Sequence, residues 1–199
     1  MNCRTARLLA GALLLLLQFE RASPIASAQH EPLDLPALLA RMATVQERHD
    51  SFTETRTMEL LTQPVTLHGT LTYRRPHYIE KRIDRPHRER IAVDGATLSM
   101  TEGDHSRELD IDSHPVIRAY VEGIRATLAG DVAALRRHYH IILDGSLSDW
   151  ALRLRPLDTE AAEFLQSVTL RGTGTRIQAV EIHEVNGDRS VMSIRESAS

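Results

Sequence analysis

The sequence predicts an α+β fold: a strongly curved, largely antiparallel sheet whose concave face is covered by helices. Three observations carry it. Apolar and polar residues alternate with period two through most of the chain, two stretches instead place apolar residues at helical spacing, and the pairs Asp94-Gly95, Asp144-Gly145 and Asn186-Gly187 supply tight reversals between successive strands.

Asp34 stands before Leu35-Pro36 as an N-cap with proline in the first turn, and Leu35, Leu38, Leu39, Met42 and Val45 then share one face. This spacing predicts a helix over 35–48. After His49-Asp50 the period falls to two. Residues 51–61 and 65–73 form the first strands, the second setting Val65, Leu67, Leu71 and Tyr73 on one face around Gly69. Strands follow at 78–83 and 90–93, with Pro76 and Pro86 in the connections. Asp94-Gly95 turns the chain into Thr-Leu-Ser-Met, and Glu102-Gly103-Asp104 turns it again.

From Ser113 the helical period returns. Pro115 sits in a first turn, and Val116, Ile117, Tyr120, Val121, Ile124 and Leu128 make one apolar stripe that ends at Gly130. Asp131 caps a further short helix through Leu135. Strands resume at 138–143, closed by Asp144-Gly145, and continue at 150–156, 167–172, 176–183 and 190–195, for a total of about ten or eleven. So many strands with one apolar side require closure, a second sheet or a helical cover. The two amphipathic helices are that cover, and an imperfect fit between them and the sheet would leave a cavity.

Arg4 and Arg7, the apolar run from Leu8 to Leu17, and Ala26-Ser27-Ala28 have the three parts of a secretory signal peptide, which predicts a signal over 1–28 and one mature domain over 29–199. The lone cysteine, Cys3, leaves with the signal, so the mature chain has neither disulfide nor thiol nucleophile. Losing Arg4, Arg7, Arg21 and Glu20 makes the balance more acidic than the −3 of the full chain, which argues against nucleic acid as a partner. Lysine is nearly absent and arginine supplies almost all the positive charge, a pattern read here as compositional bias.

The segments S-F-T-E-T-R (51–56), P-V-T-L-H-G-T-L-T-Y-R-R-P (64–76), V-D-G-A-T-L (93–98), L-A-G-D-V-A-A-L (128–135), W-A-L-R-L-R-P (150–156) and V-N-G-D (185–188), taken in this order and spacing, resemble the LolA-like outer-membrane lipoprotein carrier proteins, in particular the branch associated with aryl-polyene pigment clusters. The resemblance implies a half-open β-barrel whose concave apolar surface, under a helical lid, binds the acyl chains of a lipoprotein or another lipid in the periplasm. The expected partners are an inner-membrane exporter as donor and an outer-membrane acceptor, with the carrier itself expected to be a monomer.

On that footing the ligand-binding candidates are Leu67, Leu71, Tyr73, Trp150, Leu152, Leu154, Val180 and Ile182. Alternation alone does not separate a groove from an ordinary core at these positions. Ile117, Tyr120, Val121, Ile124 and Leu128 are the lid candidates, and the family pattern makes Arg56 the candidate latch. His138 and His140 would place two imidazoles on one strand face without a well-spaced third ligand, so no metal is expected. Gly172-Thr173-Gly174 lacks the lysine and helix of a phosphate loop, and no G-x-S-x-G elbow or paired carboxylate is present. The expected function is therefore a carrier or chaperone with no catalytic residues and no cofactor. The alternative is a periplasmic sensor that binds a lipidated or protein partner without transport.

Overall fold

The computed structural model describes residues 33–197. The expected signal peptide and the boundary at residue 29 lie outside the described residues. Asp34 caps α1 (Leu35–Met42), its carboxylate accepting from the Ala37 amide at 2.6 Å, and Leu38, Leu39 and Met42 bury the predicted face. The helix stops well short of residue 48. Thr44 turns its amide and hydroxyl back onto the Arg41 carbonyl, and from Glu47 onward the backbone is already paired with the next strand.

Six strands follow as a meander: β1 (Glu47–Thr57), β2 (Val65–Arg74), β3 (Tyr78–Arg85), β4 (Glu89–Asp94), β5 (Thr97–Glu102) and β6 (His105–Asp110). A short 3-10 turn leads into α2 (Pro115–Ala129), which ends at Gly130 in the left-handed region, and then into α3 (Val132–His138), capped by Asp131. The chain continues through β7 (Tyr139–Ser146), β8 (Asp149–Pro156), α4 (Thr159–Phe164), β9 (Leu165–Thr173), β10 (Arg176–Glu184) and β11 (Arg189–Glu196).

Three further details differ from the sequence expectation. Asp144-Gly145 is not the reversal, because β7 runs through it to Ser146 and Gly145 pairs with Trp150. The helix α4 was not anticipated, although Asp158 caps it by accepting from the Ala161 amide at 2.9 Å. His138 is the last residue of α3 rather than part of a strand, so it does not share a strand face with His140 on β7.

All eleven strands form one antiparallel sheet in the order β6-β5-β4-β3-β2-β1-β11-β10-β9-β8-β7. Strands consecutive in the chain make every pairing but one. The exception joins the two ends of the domain, β1 to β11, from Asp50 opposite Glu196 to Thr57 opposite Arg189. The sheet stays unclosed, with β6 and β7 as its edges, and the helices lie over its concave side. Over β7, β8 and β9 the cover is tight: Leu38, Leu39, Met42, Leu135, Trp150, Leu152, Leu154, Leu165 and Leu170 are all buried in one cluster. The cluster reaches Ile177 and Val180 on β10, and over the rest of the sheet the cover is looser.

Candidate functional site

Between the concave face and α2 lies a cavity of about 550 Å³, within the roughly 300–1,000 Å³ of sites that take small ligands. Leu71, Ile79, Ile91, Val93 and Leu98 line it from one half of the sheet, and Ile177, Val180, Ile182, Met192 and Ile194 from the other. The alternation of each strand sets these residues inward. Many of them, including Leu71, Ile91, Ile182 and Met192, are only half-buried, because nothing of the protein fills the space they face.

The roof is one face of α2: Tyr120, Val121, Ile124 and Leu128. A second stripe of the same helix, Ala119, Gly123, Ala126 and Thr127, is buried against the closed core. There the approach is close. A Cβ on Gly123 would come within 2.9 Å of Leu154 Cδ1, and Tyr139 Oη donates to the Ala119 carbonyl at 2.7 Å. The helix is thus seated along one flank and spans the cavity with the other. Across the cavity it is tied at a few polar points. Tyr120 Oη donates to Glu184 Oε1 on β10 at 2.9 Å, Tyr73 Oη donates to the Leu128 carbonyl at 3.2 Å, and Arg125, which also bonds Glu122 within α2, donates to the Gly95 carbonyl. Burial and the neighbouring Glu184 carboxylate push the Tyr120 phenol well above its ordinary value, so it stays a donor.

The expected site residues divide between the two regions. Leu71, Tyr73, Val180 and Ile182 line the cavity, as do Tyr120, Val121, Ile124, Leu128 and Arg56. Trp150, Leu152 and Leu154 do not: they lie in the closed core under α1 and α2, and the Trp150 indole donates to the Gly174 carbonyl at 3.0 Å. Leu67 is sealed with Phe52 and Ile83 in a small cluster of its own, and Ile117 packs beside Val93, Leu98 and Ile111. The latch placement also needs correcting. Arg56 Nε donates to Glu54 Oε1, its neighbour on the same face of β1, at 2.9 Å, and among the described residues no bond joins Arg56 to α2. Tyr120, Tyr73 and Arg125 make the cross-cavity bonds instead.

The sequence reading missed a polar chain across the cavity floor. The concave face of β1 is mostly charged, carrying Arg48, Asp50, Phe52, Glu54 and Arg56, and Glu54 is only 2% exposed. Lys81 lies in register with Leu71 on β2, which in turn faces Asp50 on β1. Its stem therefore has to run over Phe52 to reach Glu54, and Nζ sits 5.1 Å from the centre of the Phe52 ring. Glu54 accepts from Lys81 Nζ, Arg56 Nε and Ser190 Oγ, the last at 2.6 Å. Burial alone would raise the Glu54 carboxyl, but the Lys81 ammonium and the three donors more than offset it, and it titrates below its ordinary value. Burial pulls the Lys81 ammonium down against the attraction of Glu54. One signal was visible: Lys81 is the only lysine in the chain.

A family model described as outer membrane lipoprotein carrier protein LolA-like matches residues 26–198. Similar solved structures include a LolA superfamily protein from Nitrosomonas europaea, at 10% identity over 84% of this chain and 95% of that one with a TM-score of 0.46. They also include a DUF1329 family protein from Desulfovibrio piger, at 9% identity over 83% and 92% with a TM-score of 0.44. A third is the Pseudomonas aeruginosa MucA/MucB complex, at 14% identity over 84% of this chain and 59% of that one with a TM-score of 0.42. None of the curated proteins matches.

Proposed function

The chain belongs to the LolA-like outer membrane lipoprotein carrier proteins, and from that membership we propose that it is a non-enzymatic periplasmic carrier or chaperone that shelters the acyl chains of a lipoprotein or another lipid. The observation that carries this reading is the cavity itself: inward-facing aliphatic side chains from both halves of the sheet under a roof of Tyr120, Val121, Ile124 and Leu128, with the adjacent core fully packed.

An acyl chain moved from water into such a space gains roughly 0.8 kcal/mol per methylene, so several buried methylenes hold it without any covalent step. Release needs only a destination of equal apolarity. In this scheme Leu71, Tyr73, Val180 and Ile182 contact the chain, and α2 is the cover that has to yield for it to pass. Leu67, Trp150, Leu152 and Leu154 support the fold behind it. The partners that follow are a membrane donor and a membrane acceptor on either side of the periplasm.

The test is transfer of a fluorescent acyl lipid between donor and acceptor vesicles. A carrier accelerates transfer in proportion to its concentration. Binding without acceleration would replace carriage with a sensing role, and absence of saturable binding to any acyl ligand would end the reading.

A further inference from the structure

The polar chain on the floor points to the chemistry of the ligand's head. The inference rests on the carrier reading and narrows it. A buried ion pair costs several kcal/mol of desolvation per charge, and a well-packed apolar pair commonly serves stability as well or better. Yet Glu54 and Lys81 cross a floor where Lys81 lies in register between Leu71 and Ile91. Every other cation in this chain is an arginine, and the one compact ammonium is in the cavity.

Around Glu54 the hydrogen-bonding capacity left over lies with the donors. Glu54 is well supplied, accepting from Lys81, Arg56 and Ser190. An ammonium has three N–H groups and a guanidinium five. Among the described residues, the acceptor for Lys81 Nζ is Glu54, and the side-chain bond of Arg56 is from Nε to the same carboxylate. Two cations share one anion, so the cluster carries a net positive charge with spare donors. Of the other acids in the lining, Asp188 accepts from the Glu59 amide and Glu184 from Tyr120 at the far end, while Asp50, on the other side of Phe52 along β1, is a buried carboxyl that burial raises above its ordinary value.

We propose that the cavity is built for an amphiphile with a single anionic head group, a carboxylate or phosphate monoester, whose head is held by Lys81 and Arg56 while its chain lies along Leu71 and Ile91 under α2. Acyl groups joined only through esters and amides present no such charge, so this class is distinct from the acylated end of a lipoprotein.

The experiment compares dodecanoate, dodecyl phosphate and dodecanol, each below its micelle concentration, for binding to the purified, delipidated protein. At least one of the anions binds about tenfold or more tightly than the alcohol, the size of effect expected of a hydrogen bond to a charged group. Which anion shows the preference separates carboxylate from phosphate. In Lys81→Met the preference disappears while dodecanol affinity is kept, and in Arg56→Gln it falls part of the way. If Lys81→Met does not fold, the wild-type comparison and Arg56→Gln decide the matter. Equal affinity of the wild type for anions and alcohol overturns the proposal and leaves the carrier reading standing; no binding of any of the three overturns both.

Discussion

Replacing Tyr120 by phenylalanine removes one oxygen and keeps the ring, so it isolates the bond that ties the cavity face of α2 to β10. Tyr120 Oη donates to Glu184 Oε1 at 2.9 Å, and both residues are half-buried. A hydrogen bond to a charged partner contributes about 1.5–3 kcal/mol. Water reaches the half-exposed Glu184 carboxylate once the phenol is gone, so the lower end applies, and about 1.5 kcal/mol is roughly tenfold in an opening equilibrium. Hydrogen exchange followed by peptide mass spectrometry reads this directly. In Tyr120→Phe the amides of α2 exchange roughly tenfold faster, those of β8 and β9 are unchanged, and a bound fluorescent fatty acid dissociates faster. The opposite flank of the helix, seated at Gly123 on Leu154 and Tyr139, keeps the fold intact. Unchanged α2 exchange, or equal acceleration in α2 and in the β8 core, would refute the claim that the helix is latched at this point.

The remaining predictions concern stability and pH. Gly130→Ala destabilises by about 2 kcal/mol or more in denaturant unfolding, since φ is +77° and the new Cβ meets the Leu39 carbonyl oxygen at 2.5 Å; Gly95→Ala, at φ +58° in open space, costs only about 1–2 kcal/mol. Trp150→Ala costs about 3–5 kcal/mol in the same assay, whereas Ile182→Ala costs much less, because its half-buried side chain faces the cavity, and instead weakens acyl binding. The Glu54 carboxyl titrates below its ordinary value of 4.5 in the folded protein. Its contribution is therefore present above about pH 4.5 and is lost as the pH falls through the lower folded value. Glu54→Gln flattens that part of the acid limb in urea midpoints measured from pH 7 to pH 3, and an unchanged acid limb would count against the buried pair.

The strands were legible because a sheet with one dry face writes its period into the sequence, and Asp94-Gly95 and Asn186-Gly187 mark reversals that the fold uses, but the pairing of β1 with β11 was not. The division of the dry face was not. Trp150, Leu152 and Leu154 alternate just as Val180 and Ile182 do, and only the seating of α1 and of Gly123 in α2 closes the core over the former while leaving the latter at a cavity. Periodicity identifies which side of a strand is dry, not what lies above it. The polar floor stayed hidden for a different reason. β1 carries charges on its inward face, against the usual pattern, and Lys81 reads as a rare surface residue until its stem is seen crossing Phe52 to Glu54. Thr44, turned back on Arg41, ends α1 before Val45, although hydrophobic spacing would carry it on.

The most direct test of the account is a titration of the delipidated protein with a fluorescent fatty acid, run beside Val121→Trp and Ile182→Trp, which fill the cavity from its roof and its wall. The account predicts saturable binding to the wild type and its loss in both variants, with thermal unfolding midpoints close to the wild-type value. Binding that persists undiminished in both folded variants would place the ligand elsewhere and contradict the assignment of this cavity.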